Sequence, residues 1–416
     1  MHGLFTPAQQ ALIDRVDRLV ADRIAPRAAD YDRTGEFAVA DFQDIHREGL
    51  LLATLPKKDG GLGFGFNDED PLSYFLIIER LARGSASTAH CFQVHCNATQ
   101  MMRRFGSDEQ IARFLEPTRE QALLLVGAAA EPGGTRDATL ARRVPGGYRV
   151  TGRKHYATNA THAKWISAHI RADDTGKLEN MVIDTESPGL TIDAAFWNAP
   201  GMRSCISPML IFEDCFVPED CILRRPDAAP SGAFLTEHWP AKINLGFTAN
   251  YLGNLQAMFD WSTGYAKQRG PVTDAVYLSH IGELRTRIDA SRLLFYHAIS
   301  LLKSDTEAGL VMGLEAKWMA VETLNRLVHR LHRVLQTVPA GQDDPRHAAA
   351  FTASAPSPRR AGDRAPRARA GIRHQQVLRA QLVNRASPPT ASPPCRIFRT
   401  RRASACPCSR ACCWRR

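Results

Sequence analysis

The chain has 416 residues, of which 44% are apolar and 8% aromatic, and it carries 53 Lys and Arg against 43 Asp and Glu. This composition excludes a collagen, a small disulfide scaffold and a wholly disordered chain, and the length allows two or more globular domains. No apolar run approaches the roughly 18 residues that a spanning helix needs, and the first residues do not resemble a secretory signal. We therefore expect a cytoplasmic protein with no membrane partner.

The net charge of +10 is concentrated at one end of the sequence. Residues 353–416 contain 15 Arg, no Lys and one acid, Asp363, which leaves residues 1–352 with a net charge of −4. Such a tail would bind polyanions in a salt-sensitive, sequence-independent way. It has only two aromatic residues to interleave with the arginines, so no specific nucleic-acid partner is predicted.

Helical patterns dominate the first part of the chain and predict an N-terminal helical domain over residues 1–122. Thr6 and Gln9 form a capping box around Pro7, which predicts a helix start. Apolar residues then recur at helical spacing between Gly-rich segments. The further predicted helices are residues 71–82, 85–105 and 108–115.

Short β-prone runs replace this pattern and predict a middle antiparallel β-domain over residues 123–235. After Pro240 the helical spacing returns and predicts three long helices of an incomplete C-terminal bundle over residues 236–338. The expected fold class is therefore α+β and multidomain. The predicted strands are residues 148–152, 165–170, 181–184, 190–192 and 209–217.

Five motifs stand out along the chain. Three lie in the β-domain: Ala129-Ala-Glu-Pro-Gly-Gly-Thr-Arg-Asp137, then Val150-Thr-Gly-Arg-Lys-His-Tyr-Ala-Thr-Asn159, then Gly201-Met-Arg-Ser-Cys-Ile-Ser-Pro-Met-Leu-Ile-Phe-Glu-Asp-Cys-Phe-Val-Pro218. The small residues of the first expose main-chain amides to a planar polar ring or an anion. Phe105-Gly-Ser-Asp-Glu-Gln110 precedes them and Tyr265-Ala-Lys-Gln-Arg269 follows. Signatures of phosphoryl transfer, zinc hydrolysis and serine hydrolysis are missing, and no metal site is predicted.

In order and spacing these motifs resemble the acyl-CoA dehydrogenase flavoprotein family. Its patterns are Thr-Glu-Pro-x-Ala-Gly-Ser-Asp, Gly-x-Lys-x-Trp-Ile-Thr-Asn, and Gly-x-Arg-x-Ser-x-Thr with Phe-Glu-Asp-Val-x-Val-Pro. The resemblance covers roughly residues 5–338. It implies an acyl-CoA dehydrogenase-like fold, FAD between the β-domain and the C-terminal helices, a homo-oligomer (dimer or tetramer), an acyl-CoA or similar substrate, and an electron acceptor.

The resemblance also implies which residues contact the flavin. Ala130 takes the place of the Thr that contacts the flavin pyrimidine, and Thr135 and Arg136 stand where the family has Gly-Ser. Tyr156 stands for the Trp that covers the flavin ring, and Thr158 for the Thr whose hydroxyl faces the flavin N5 edge. Both keep the chemistry that these positions need, a flat packing face and a hydroxyl.

Two further cofactor contacts are implied nearer the C-terminal end. Arg269 matches the Arg that reaches the FAD pyrophosphate of a neighbouring subunit. Gln336 matches the first residue of the Gln-x-x-Gly-Gly clamp, whose glycine positions hold Pro339 and Ala340. Residues 339–416 have no apolar period, and we expect an aberrant, disordered tail that a frameshift near Thr337 would explain.

Dehydrogenation of an acyl thioester needs a carboxylate that removes the α-proton while the β-hydrogen leaves as hydride to the flavin. At one of the two positions where the family carries this base, the chain has Ile243, and the usual Tyr-Glu-Gly-Thr-like segment does not occur. Glu237 is the nearest acid and is the candidate base. The first functional prediction is α,β-dehydrogenation of an acyl-CoA thioester.

An alternative comes from flavin monooxygenases of the desulfurisation type, which share this fold and use reduced flavin with dioxygen. They lack the catalytic Glu and have a His near the flavin edge. Thr158 fits their Lys-x-x-x-Ser/Thr pattern, and the segment 89–96 offers His90 or His95, of which His95 is the candidate. This alternative implies FMN and a flavin reductase. A third hypothesis is a catalytically disabled family member whose basic tail binds polyanions.

Overall fold

Three structural regions follow one another along the chain, in the order helices, sheet, helices. The computed structural model describes residues 4–132, 139–224, 238–268 and 275–336, and for residues 329–336 only the main chain. This order confirms the predicted α+β architecture. Within the described ranges, no helix is both long and apolar enough to cross a membrane.

Six α-helices build the N-terminal region. The first begins where the sequence predicts it: Gln9 N donates to Thr6 Oγ1 at 3.2 Å, and Thr6 N donates to Gln9 Oε1 at 3.0 Å. Ser107 and Gln110 repeat this capping box at the start of the sixth helix. A π-helical turn, Val20–Ile24, connects the first two helices. The helices are α1 (Pro7–Leu19), α2 (Ala25–Thr34), α3 (Val39–Arg47), α4 (Pro71–Gly84), α5 (Ala86–Phe105) and α6 (Asp108–Gln121).

A seven-stranded sheet forms the middle region. Its order is β1-β4-β2-β3-β7-β6, and β5 pairs with β4 outside this path. Most neighbouring strands are antiparallel, but β4 runs parallel to β1 and to a short part of β2. All five predicted strands lie within observed ones. The strands are β1 (Leu124–Ala128), β2 (Leu140–Val144), β3 (Gly147–Lys154), β4 (Ala163–Ala172), β5 (Leu178–Asp184), β6 (Leu190–Asp193) and β7 (Met209–Pro218).

Three long helices follow the sheet, as the spacing predicts: α7 (Trp239–Gln268), α8 (Ala275–Leu301) and α9 (Thr306–Gln336). Apolar residues on α7 and α8, including Leu252 and Phe295, are fully buried. Phe295 meets Phe75 of α4 edge to face, with 5.4 Å between ring centroids. The C-terminal helices and the N-terminal helices therefore share one apolar core.

A buried polar network lies inside that core. The Glu79 carboxylate on α4 accepts a hydrogen bond from Arg292 Nε at 2.7 Å and from the Tyr296 hydroxyl at 2.6 Å, both on α8. Arg292 Nη2 donates to Gln256 Oε1 of α7 at 3.0 Å. Burial disfavours the charged guanidinium, yet the Glu79 carboxylate raises the pKa of Arg292. The network thus joins α4, α7 and α8 through a buried, paired charge.

Helix α5 is fastened to the sheet by His95. The Leu125 main-chain NH of β1 donates to His95 Nδ1 at 2.9 Å, so the ring proton is assigned to Nε2, which lies 2.8 Å from the Leu51 carbonyl oxygen. Burial lowers the pKa of His95 to about 4, which keeps the ring neutral in the folded protein. Asn159 Nδ2 adds bonds to the main-chain oxygens of Cys91 and Leu125 at 3.0 and 3.2 Å.

We predict that Arg292→Met lowers the free energy of unfolding by about 3–5 kcal/mol, because it leaves the Glu79 carboxylate buried without its cation. Urea unfolding followed by circular dichroism measures this loss. Arg287→Met on the same helix is the matched control: its bond to Glu283 is 2.8 Å long, but both side chains are more than one-third exposed. The control should lose at most about 1 kcal/mol. Equal losses would contradict the importance of the buried pair.

We predict that the cost of His95→Gln depends on pH. The unfolded chain protonates this histidine below about pH 6.5, whereas the folded chain does so only below about pH 4. The stability that neutral His95 contributes is therefore complete above pH 6.5 and is lost as the pH falls toward 4. Between pH 7.5 and pH 5 the deficit of the variant should shrink by about 2 kcal/mol. Exposed His297→Gln is the control; a pH-independent deficit would refute the assignment.

Candidate functional site

The three motifs of the β-domain meet at one edge of the sheet. The main-chain NH of His155, just after β3, donates to the Ala130 carbonyl at 3.0 Å. Two residues later, Ala157 N donates to the Pro208 carbonyl at 2.9 Å. Segments that are far apart in the sequence, around residues 130, 156 and 206, thus lie side by side.

An ion pair anchors the first of these segments. The ammonium group of Lys154, 1% exposed, pairs with the Glu131 carboxylate and donates to the His169 carbonyl at 2.7 Å. The other Glu131 oxygen accepts from the main-chain NH of Thr139 at 3.1 Å. Burial lowers the pKa of Lys154 while the Glu131 charge acts to raise it. The pair therefore fixes the main chain next to Ala130.

Tyr156 presents an aromatic ring at this edge. Its backbone adopts a left-handed conformation with φ of 58°, and its side chain is 58% exposed. For a bulky residue such a backbone conformation costs about 1–3 kcal/mol. The ring lies near Phe196, with 5.5 Å between centroids and an angle of 59° between the ring planes. A strained, exposed aromatic ring in a loop is typical of a binding position.

Thr158 belongs to a directed chain of hydrogen bonds. Ser207 Oγ donates to the Cys205 carbonyl oxygen at 3.0 Å and lies 2.7 Å from Thr158 Oγ1. Because the Cys205 carbonyl oxygen can only accept, the single Ser207 proton is assigned to that bond, which makes Thr158 the donor in the second bond. The Thr158 oxygen then keeps only lone pairs, so it can accept one more hydrogen bond but cannot donate one.

A half-buried histidine of α5 lies on the helical side. The His90 ring of α5 lies 5.3 Å from the Phe247 ring of α7, centroid to centroid. Burial opposes protonation of His90, but the charge and hydrogen bond of Cys205 outweigh it and raise the pKa of His90. Lys317 Nζ lies 5.2 Å from the centroid of the same Phe247 ring and donates to Asn244 Oδ1 at 2.8 Å. Burial lowers the pKa of Lys317.

The structure brings together some of the predicted site residues. Ala130, Tyr156 and Thr158 lie within the edge described above. His95 sits deeper on α5 with both ring nitrogens engaged by the main chain, so neither nitrogen is left for a substrate. His90, the other histidine of that segment, packs near the Phe247 ring of α7 instead. Outside the described residues lie Thr135, Arg136, Glu237 and Arg269, together with the side chain of Gln336.

Sequence reasoning did not single out Ser207, Cys205, Phe247 or Lys317. Ser207 stands at the Thr position of the third motif, so its signal was present in the motif pattern. Phe247 and Lys317 belong to ordinary helical stripes, and only the packing of α7 against α5 and α9 brings them near His90. No pattern in the adjacent sequence identifies Phe247 or Lys317 as residues of the candidate site.

This edge fits a planar ring cofactor. The exposed Tyr156 ring offers a stacking face, Ala130 is small and exposed, and Thr158 offers an acceptor oxygen. Within the part of the chain that the structure describes, no three His, Cys, Asp or Glu residues are arranged to hold a metal ion.

Two family models match the chain: "Acyl-CoA dehydrogenase, N-terminal domain" over residues 6–121 and "Acyl-CoA dehydrogenase, C-terminal domain" over residues 245–335. Human mitochondrial short-chain specific acyl-CoA dehydrogenase is 27% identical over 342 residues, covering 78% of this chain and 80% of the relative. L-evernosamine nitrososynthase of a Micromonospora species is 31% identical over 301 residues, covering 69% of this chain and 68% of the relative.

Solved structures agree in fold. Butyryl-CoA dehydrogenase from Megasphaera elsdenii superposes with a TM-score of 0.73 at 21% identity, covering 85% of this chain and 94% of its own. FMN-bound TdsC from Paenibacillus sp. A11-2 superposes with a TM-score of 0.73 at 19% identity, covering 92% and 99%. The two family models match the helical regions on either side of the sheet, and the nitrososynthase relative aligns with 69% of the chain at 31% identity. The chain therefore belongs to the acyl-CoA dehydrogenase family of flavoprotein oxidoreductases.

Proposed function

We propose that this chain is an oxidoreductase that works with reduced flavin and dioxygen, the alternative predicted from the sequence. The observation that carries the proposal is the direction of the hydrogen bonds from Thr158 through Ser207 to the Cys205 carbonyl. When bound in its reduced form, the flavin supplies the two electrons that activate dioxygen for attack on a substrate. The remaining work falls to side chains of this chain.

The first task is to hold the cofactor in one redox form. The family resemblance implies that the Thr158 hydroxyl faces the flavin N5 edge. Because Thr158 can only accept there, it suits reduced flavin, which carries an N5 proton, better than oxidised flavin, whose N5 has none. The Tyr156 ring would cover the flavin face, and the main chain at Ala130 would meet its pyrimidine edge. We propose FMN as the cofactor, which the TdsC structure contains.

The second task is proton transfer. A half-buried imidazole can take up or release a proton near neutral pH. His90 occupies such a position beside Phe247, whereas Ile243, at a family position for the carboxylate base, cannot accept a proton. We therefore assign proton transfer to His90 and not to His95, whose two nitrogens hold α5 to the sheet.

The second candidate function is α,β-dehydrogenation of an acyl-CoA thioester with FAD, Glu237 and an electron acceptor. Similarity to human short-chain specific acyl-CoA dehydrogenase over 78% of the chain favours it. In either reaction Thr135, Arg136, Arg269 and Gln336 stay proposed cofactor contacts. We also propose a cytoplasmic homo-oligomer, and a flavin reductase as the electron donor of the first reaction.

Flavin affinity tests the first proposal without a known substrate. Anaerobic equilibrium dialysis of the full chain should show reduced FMN binding at least about tenfold more tightly than oxidised FMN, the worth of one hydrogen bond. Thr158→Val should abolish that preference. Thr191→Val, an exposed threonine on β6, is the matched control and should retain it. Tighter binding of oxidised FMN would contradict the proposal.

Turnover separates the two reactions. With NADH, a flavin reductase and indole as the probe substrate, we expect indole-dependent oxygen consumption, while butyryl-CoA added without oxygen leaves the visible flavin absorbance unchanged. His90→Gln should lower that oxygen-dependent turnover by about 10²–10⁴-fold at unchanged FMN affinity, because it removes the proton-transfer group. Bleaching of the flavin by butyryl-CoA would instead establish the dehydrogenase reaction.

A further inference from the structure

We propose that a cavity between α6 and the C-terminal ends of β5 and β7 binds a small, uncharged, planar molecule that carries a hydrogen-bond acceptor. The cavity has a volume of about 220 Å³. Its described lining includes none of the residues placed in the candidate functional site. The proposal therefore goes beyond the proposed function and requires neither candidate reaction.

Separate parts of the chain form the wall of this cavity. Arg113 comes from α6 and Trp165 from the start of β4, while Val182 and Val217 come from β5 and β7. The two valines are each 1% exposed and belong to the apolar core. One side of the cavity is thus apolar, which favours a ligand with hydrophobic surface.

The Trp165 indole ring is held in place by its neighbours. It meets the fully buried Phe114 ring edge to face, with 5.1 Å between ring centroids. Arg113 Cζ lies 5.7 Å from the centroid of the same indole, and Lys164 Nζ lies 5.9 Å from it. A flat ring that is already fixed can stack on a ligand at little cost in conformational entropy. This surface favours a planar molecule.

Trp165 also carries a hydrogen-bond donor that is unused within the described part of the chain. Its Nε1 atom is buried and has no hydrogen-bond partner there. An indole NH can only donate, and an unpaired buried donor costs about 1–3 kcal/mol. An acceptor atom on a bound molecule would offset this cost. The ligand is therefore expected to carry a carbonyl or a similar oxygen.

The charged groups of the lining are already paired. Arg113 Nη1 donates to Asp220 Oδ2 at 2.7 Å. Asp184 Oδ2 lies 2.9 Å from Lys164 Nζ, and its Oδ1 accepts from the Glu186 main-chain NH at 2.9 Å. A charged ligand would have to leave water without meeting an unpaired counter-charge, which disfavours its binding. The lining thus selects an uncharged molecule.

The volume limits the size of the ligand. An apolar cavity of about 150 Å³ is large enough for benzene, and pockets for drug-sized molecules begin at about 300 Å³. At about 220 Å³ this cavity suits a molecule of one or two rings. Cys221 also lines it, but burial raises the pKa of that thiol to about 11. The thiol therefore stays protonated and unreactive, and binding is reversible.

Equilibrium dialysis of the full-length chain against coumarin and naphthalene tests the proposal. Both probes are uncharged and have two fused rings, but only coumarin carries a carbonyl. Trp165→Phe keeps a flat ring and removes the NH, so it should weaken coumarin binding about tenfold, the worth of one hydrogen bond, and change naphthalene binding by less than about twofold. Trp318→Phe, the same change at a 63% exposed residue of α9, is the matched control and should alter neither affinity.

Two further measurements test the location and the charge preference. Ser187 lines the cavity and is half-buried, so Ser187→Phe should fill the space and abolish binding of both probes. Coumarin-3-carboxylate should bind the wild-type chain at least about tenfold more weakly than coumarin, a comparison that needs no variant to fold. The proposal is overturned if the wild-type chain does not bind coumarin, if either cavity variant binds it as tightly as the wild type, or if the carboxylate binds more tightly.

Discussion

The architecture depends on one buried charge pair, between Glu79 of α4 and Arg292 of α8. A carboxylate this deep is tolerable only with its cation in place, so the two helices cannot slide past each other without exposing an unpaired charge to an apolar core. Gln256 binds the same guanidinium and includes α7 in the arrangement. The position of α7 in turn determines which of its side chains approach the β-sheet region.

Helix α5 transmits that arrangement to the sheet. On one side the Gln93 amide donates to the Ile243 carbonyl of α7 at 3.2 Å, and on the other His95 accepts from the main chain of β1. Gly246 leaves room for the first of these contacts, because a Cβ there would overlap the Gln93 side chain. The N-terminal half of α5 is thereby held between α7 and the loops of the β-domain. Gln93 and His95, three and five residues after His90, both make these hydrogen bonds between elements. They thereby hold His90 in the gap between α7 and the β-domain.

Local sequence signals predicted most of the fold, because capping boxes and apolar periods are determined by adjacent residues. The box of Thr6 and Gln9 and the starts of α4, α5 and α6 are of this kind. Strands β1 and β2 were not predicted. Leu124–Ala128 is a short apolar run that also suits a buried helix, and Leu140–Val144 contains two arginines. The choice between His90 and His95 depends on which side of α5 meets β1. That packing is a tertiary contact, and the periodicity of apolar residues along the helix does not predict it.

The segment around Cys205 shows why the site cannot be divided into independent parts. The Cys205 carbonyl accepts the hydrogen bond of Ser207, which assigns Thr158 as the inward donor, and the interaction with Cys205 raises the pKa of His90. One residue thus sets both the hydrogen-bonding character of the proposed flavin edge and the charge state of the proposed proton-transfer group. A change in the main-chain position of Cys205 would alter both together. Sequence motifs mark this residue only as one position in a pattern, because its influence acts through a carbonyl that any residue type would carry and a thiol whose partners come from a distant helix.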